Sequence, residues 1–360
     1  LGIKLKRLKL LKATRKHIFR ATVMWENTKK IKEIHGCTPD AIPEAIHTSN
    51  EPLVLRGLVK NWPIVPASLQ SDEDAVAYLK KFYTDKTVGT FLASPDIKGR
   101  LFYNDDLSEL NFETKRLPLN LVLDKILEHK NDEQPPAIYV GSTTVDICLP
   151  GFRAENDLKI ANYNPMVSIW MGNPSRIPCH YDGPDNIACV VTGKRRFTLF
   201  APEQITNLYP GPIDFTPAGQ AVSLVDFANP DFEKYPNFVQ AMEAAVVAEL
   251  EPGDAIFIPS MWWHHIEALG SFNVLINYWW RPMPAFVGAG IDVIRHAILN
   301  IRDLPEKEKV AWRALFDYYI FGDSTSVTSH IPEDAQGFLA PIDDVSARQL
   351  RALLISKLNR

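Results

Sequence analysis

Apolar and polar positions follow two rhythms along this chain, and the rhythm changes twice. Val76, Leu79 and Phe82 fall at helical spacing after Asp72, which predicts a helix over 73–85 with Asp72 as its cap. Leu119, Leu121, Val122, Ile126 and Leu127 predict another over 118–129, and Pro52-Leu53-Val54-Leu55-Arg56-Gly57 reads as a short strand. From about 137 to 281 the rhythm is that of strands: Ala137 to Val140, Met166 to Met171, Ile187 to Val191, Arg196 to Phe200, Ala255 to Ile258 and Asn273 to Trp280. Thr192-Gly193-Lys194 reads as a turn between two of them, and 201–248 as a long insert with one helix near 237–247. Beyond 281 the helical rhythm returns. Val287, Ile291, Ile294, Ile298 and Ile301 make one apolar stripe. Asp303 reads as the cap of a following helix with Pro305 early in it; Trp312, Leu315, Phe316, Tyr319 and Ile320 line its face and Gly322 ends it. A third helix over 346–358 carries Leu350, Leu353, Leu354 and Leu358.

Many short strands without βαβ alternation, broken up by 27 prolines, predict a barrel or sandwich. The expected fold class is mainly β with helical flanks. Four parts are expected: a basic segment at 1–36, an α/β part at 37–136, a barrel at 137–283 and helices at 284–360. The apolar stripes of the last part need cover, from the barrel and from a second subunit, so a homodimer through these helices is expected.

Composition narrows the classes. The chain is 46% hydrophobic and 23% charged, ordinary for a globular protein, and its formal charge of −4 excludes a molecule built as a whole to bind nucleic acid. Residues 1–20 differ: Lys4, Lys6, Arg7, Lys9, Lys12, Arg15, Lys16 and Arg20 alternate with Leu5, Leu8 and Leu11, and no acid precedes Glu26. Such a basic amphipathic helix suits RNA, a membrane surface or an acidic partner; a solvated helix packed on the body is the plainer reading and ranks first. Cys37, Cys148, Cys179 and Cys189 have no paired spacing, which fits a reduced cytoplasmic protein. No apolar run is long enough to span a bilayer.

The first chemical signal is Pro178-Cys179-His180-Tyr181-Asp182. Residues i and i+2 of a strand share a face, so His180 and Asp182 can reach one ion while Cys179 points away. A third ligand can come from Trp262-Trp263-His264-His265, which follows the Glu251-Pro252-Gly253-Asp254 turn and the Ala255 to Ile258 strand. Two histidines and one carboxylate leave coordination positions open, the pattern of non-haem Fe(II) sites. His-x-Asp alone is a common accident; the second histidine in that setting is what gives it weight.

The sequence at this point resembles the JmjC-type cupin-like Fe(II)/2-oxoglutarate oxygenases, and within them the asparaginyl hydroxylase that inhibits the hypoxia-inducible factor. The resemblance covers about 137–281. It runs through His180-Tyr181-Asp182, Asn186, Leu208-Tyr209-Pro210, Val225 to Phe232, Tyr235 to Phe238, Trp262 to Glu267 and Asn277-Tyr278-Trp279, and continues more weakly on both sides. It implies a double-stranded β-helix with His180, Asp182 and His264 as iron ligands. It also implies Fe(II), 2-oxoglutarate as cosubstrate and O2. Arg195 stands where the family usually has Lys, as the partner of the distal 2-oxoglutarate carboxylate, with the adjacent Lys194 as the alternative. Tyr139, Asn186 and Asn277 are implied as further polar contacts and Trp279 as a wall. Ile177 departs from a hydroxyl residue of the close relative and removes one hydrogen bond. The expected substrate is a protein side chain or, second, a small molecule. The contrasting expectation is a non-catalytic metal-binding cupin-like protein; the complete ligand set speaks against it.

Overall fold

The structure is a computed structural model that describes residues 28–359. The expected basic helix at 1–20 lies outside the described residues. The chain forms two compact units, one ending at Arg281 and the other running Pro282–Arg360.

The first unit is built on two sheets. Fourteen strands are described: β1 (Lys29–Lys30), β2 (Lys32–Ile34), β3 (Leu53–Leu55), β4 (Thr87–Ala93), β5 (Glu113–Pro118), β6 (Ala137–Thr144), β7 (Met166–Gly172), β8 (Ser175–Tyr181), β9 (Asp185–Thr192), β10 (Arg195–Phe200), β11 (Val246–Leu250), β12 (Ala255–Ile258), β13 (Trp263–Ala268) and β14 (Asn273–Trp280). The small sheet has the order β1-β11-β10-β13-β8 and the large one β2-β3-β12-β9-β14-β7-β6-β4-β5. From β7 onward the chain crosses from one sheet to the other, so that β7, β14, β9 and β12 face β8, β13, β10 and β11. This is a double-stranded β-helix, the jelly-roll core with helical flanks that the strand rhythm and the resemblance imply.

The two-residue period of each strand decides what it faces. Ala188 and Val190 of β9 and Leu275 of β14 pack between the sheets with Phe197, Leu199, Leu250, Ile256 and Ile258. Their neighbours Ile187, Cys189, Val191, Ile276 and Tyr278 turn outward, into a core with Ile64, Val65, Val76, Leu79 and Leu123. Those residues come from the helices Ile64–Gln70, Asp72–Lys80 and Leu119–Glu128. The outer side of the small sheet is covered by the 201–248 segment: Cys179, Phe200 and Trp263 pack on Leu208, Val225, Phe238 and Met242. With both faces of the large sheet covered at its centre, the strands β12, β9 and β14 there read as near-continuous apolar runs.

Several local expectations are corrected. The helix expected over 73–85 is Asp72–Lys80, and its cap is Ser71, whose hydroxyl accepts the Asp74 N–H at 3.0 Å; Asp72 is already helical. Pro305, not Asp303, stands at the cap position of the helix Glu306–Tyr319, and Asp303 pairs with Arg302 at 3.0 Å. That helix ends before Gly322. The last helix, Asp344–Leu358, starts earlier than its apolar stripe because Asp343 and Ser346 close a capping box.

In the second unit the helices are Gly290–Asn300, Glu306–Tyr319, Ser324–Thr328 and Asp344–Leu358. The first two contain no buried residue. Among the described residues, no helix is long and apolar enough to cross a membrane.

Candidate metal centre and the cavity around it

His180 lies near the end of β8 and His264 near the start of β13, and the two are direct partners across the ladder. Their rings approach to 4.4 Å between centroids. Asp182 follows the last residue of β8, and its carboxylate oxygen is 3.5 Å from His264 Nε2. Donor atoms of the three residues all lie within 4.8 Å of one another. Two ties splice the ends that carry them. The Met261 N–H donates to the Asp182 carbonyl at 2.8 Å, and the Ser260 hydroxyl donates to the Gly183 carbonyl at 2.6 Å. Met261 takes a left-handed φ of 68°, a backbone strain of roughly 1–3 kcal/mol that the surrounding ties hold in place.

Both imidazoles are oriented by the backbone. His180 Nδ1 is 2.9 Å from the Pro178 carbonyl and His264 Nδ1 is 3.0 Å from the Trp262 carbonyl. A carbonyl only accepts, so each Nδ1 carries the proton and each Nε2 keeps its lone pair for the shared space. Burial first, and then the neighbouring His264, push the His180 imidazole down to about 4, so it is neutral at physiological pH. Burial works to raise the Asp182 carboxyl; the facing His264 and then His180 outweigh it and hold the group below its ordinary value. Two imidazoles whose Nδ1 atoms are held by backbone carbonyls, and one carboxylate facing them, are a donor set that fits Fe(II).

A bulge shapes this end of β8. His264 pairs with His180 but Ile266 with Ile177, so β8 carries one extra residue. Pro178 lies in the bulge, where its missing N–H costs no ladder bond. The bulge lets Ile177 and Pro178 both line the cavity with His180. His265 faces the other way. Its ring lies 4.6 Å from that of Phe227, and burial pushes it down to about 3. The choice between the two adjacent histidines is thus made by alternation: His264 faces Asp182 and His265 faces the covering segment.

Around the three residues is a cavity of about 110 Å³. Tyr139 of β6, Asn186 of β9, Arg195 of β10, and Asn277 and Trp279 of β14 all line it. Arg195 begins β10 after the Gly193 turn. Gly193 has φ 73°, and a Cβ there would lie 2.3 Å from Asn273 Oδ1, so only glycine fits. Arg195 is 2% exposed, and its Nε and Nη2 reach no hydrogen-bond partner. No carboxylate among the described residues pairs with it. Lys194 turns out of the barrel, 2.8 Å from Glu249 and 3.9 Å from Glu251. Burial pushes the Tyr139 phenol up to about 12 against the pull of the nearby Arg195 guanidinium.

The sequence reading did not single out Phe91, Leu101, Trp170, Pro217, Ala218 and Ile258, which also line the wall. Trp170 was legible as strand. Phe91 and Leu101 come from regions whose pairing with the barrel is long-range, and nothing local marks them.

Residues 39–286 match the family model for a cupin-like domain. The chain is similar to tRNA wybutosine-synthesizing protein 5 of Danio rerio, 40% identical over 106 residues, covering 29% of each chain. It is similar to lysine-specific demethylase 8 of Xenopus tropicalis, 26% identical over 238 residues, 64% of this chain and 48% of that one. It is also similar to HSPB1-associated protein 1 of Homo sapiens, 35% identical over 114 residues, 31% of this chain and 23% of that one. The matches span 26% to 48% of the length of the first four curated relatives. The family match over most of the chain, the jelly-roll topology and the clustered His180, Asp182 and His264 agree: the chain belongs to the cupin-like, JmjC-type family of Fe(II)/2-oxoglutarate oxygenases.

Proposed function

We propose that this protein is an Fe(II)- and 2-oxoglutarate-dependent hydroxylase, with His180 Nε2, the Asp182 carboxylate and His264 Nε2 as iron ligands. The observation that carries the reading is Arg195. A buried guanidinium without a carboxylate partner costs several kcal/mol, and a ligand carboxylate in the same cavity removes that cost. Its planar fork suits a bidentate carboxylate, which assigns the distal end of 2-oxoglutarate to Arg195 rather than to the solvent-facing, ion-paired Lys194. Tyr139, Asn186 and Asn277 supply polar contacts and Trp279 walls the site. The bound metal supplies activation of O2 coupled to decarboxylation of the cosubstrate. The protein's own part is to orient the ligands through the Pro178 and Trp262 carbonyls, to hold the anion, and to keep water out with Ile177, Ile258 and Trp279.

The substrate is an uncharged group, on a protein side chain or a small molecule. Phe91, Leu101, Pro217 and Ala218 form an apolar wall that suits such a group. The relatives' names point to both a tRNA-modifying and a lysine-directed role, and neither is carried over. The C-terminal helices are assigned to self-association in a homodimer. Leu315, Phe321, Leu353 and Ile355 are exposed apolar side chains of that unit, and a second copy packed on such side chains would take them out of water.

An anaerobic titration of metal-free protein with Fe(II) and then 2-oxoglutarate tests the assignment. A visible metal-to-ligand charge-transfer band is expected in the wild type and not in His180→Ala. Fe(II) binding without the band would remove the 2-oxoglutarate part of the proposal.

A further inference from the structure

Three residues on the cavity wall form a hydrogen-bonded relay whose direction is set at one end. Trp170 Nε1 lies 2.8 Å from Asn277 Oδ1. Asn277 Nδ2 lies 3.3 Å from Asn186 Oδ1. An indole N–H only donates, whereas an asparagine amide can turn half over and exchange donor for acceptor. Trp170 therefore requires the Asn277 oxygen, Asn277 is left to donate to Asn186, and Asn186 is left with Nδ2 as its second group. All three residues line the cavity that holds Arg195. The indole has little freedom to release its hold. Its ring meets Trp279 edge-on at 5.8 Å and lies tilted over Tyr139 at 6.3 Å.

We infer that Trp170 is a positioning residue: its indole N–H orients the Asn277 and Asn186 amides so that the relay ends in a donor, matched to the anionic oxygens of 2-oxoglutarate. The ligand's identity rests on the functional reading above; the orientation of the amides does not. If the amides reversed, an oxygen would face the anion and one hydrogen bond would become a repulsion.

Trp170→Phe keeps a ring against Trp279 and Tyr139 and removes the donor. In ligand-free protein carrying ¹⁵N-labelled asparagine, this variant should shift or broaden the side-chain amide signals of both Asn277 and Asn186. A change at Asn277 with Asn186 untouched overturns the relay. In the anaerobic titration, Trp170→Phe should weaken 2-oxoglutarate about 10-fold, the size expected for one mispaired buried group, and leave Fe(II) affinity unchanged. The same substitution should have no further effect in an Asn277→Leu background. Full cosubstrate affinity in Trp170→Phe, or losses that add in the double variant, overturns the positioning role. A wild-type protein that takes up no 2-oxoglutarate at all would instead overturn the functional reading, and the amide signals would still decide the relay.

Discussion

The barrel interior and the C-terminal helices are both rich in large apolar residues, yet they leave opposite things unfinished. Between the sheets Phe197, Leu199 and Val190 are fully enclosed, and the misfit is polar: Arg195, buried without a counter-charge. In the C-terminal unit Asp323 and Asp343 cap two of the helix starts. There the misfit is apolar. Phe321, Leu299 and Ile355 are 76%, 72% and 60% exposed. An unpaired buried charge costs several kcal/mol; exposed apolar surface costs about 25 cal/mol per Å² that could be covered. The proposed partners follow the kind of misfit, a small anion in one case and a second protein surface in the other.

The sharpest way to break that contrast is Arg195→Met. It should weaken 2-oxoglutarate about 100-fold or more, the usual cost of truncating one partner of a buried charged pair. It should also raise the melting temperature of the ligand-free protein, because it removes an unmatched charge from a dry site. A variant that melts lower and still binds the cosubstrate would mean that Arg195 is matched within the protein. On the other side of the comparison, Leu315→Glu combined with Leu353→Glu should weaken self-association about 30-fold, as at an interface hot spot. Light-scattering mass against concentration reads this, and cosubstrate affinity should stay within about 2-fold of wild type. An unchanged mass would remove these faces from the interface.

The smallest effect separates the units by pH. Burial depresses His180 to about 4 and His265 to about 3, while the unfolded chain titrates near the ordinary value of about 6.5. Below that value the unfolded state binds protons that the fold refuses. The stability from these neutral histidines is therefore complete above about pH 6.5 and is lost as the pH falls toward about 4. The histidines of the C-terminal unit, His296 and His330, are exposed. Hydrogen exchange between about pH 7 and about pH 5 should show the metal-free barrel loosening while the C-terminal helices hold. Equal loosening in both would contradict the burial argument.

The fold class was legible where short apolar runs are bounded by turn residues, as in β9, β10, β12 and β14. The helix Ile64–Gln70, the strands β4 and β5 and the strand β11 were not. The first contains Pro66, and the others are short or polar, so their state is decided by the sheet they join rather than by their own pattern. In the candidate site, spacing puts His180 and Asp182 on one face, and the second histidine is what gives that pattern weight. Choosing between His264 and His265 from the residues needed the partner strand, because alternation says that one of two adjacent residues faces in without saying which. Trp170 was invisible as a site residue for a related reason. A tryptophan in a buried strand is ordinary, and only its approach to Asn277, a distant residue brought in by the β7–β14 ladder, gives its N–H a task.

His180 and His264 are ladder partners although the whole 201–248 segment separates them along the chain. This has a consequence for the protein's synthesis. A nascent chain that has emerged only as far as β11 carries two of the three proposed ligand residues, at the end of a strand whose partner has not yet been made. Closing so long a loop is among the slower events of folding. The site is therefore assembled late, after the β13 segment has left the ribosome and docked between β8 and β10. Any ion gathered earlier by His180 and Asp182 would be held by two donors in water and exchange freely, so the choice of metal is made by the finished barrel and by whatever ion is abundant where folding ends.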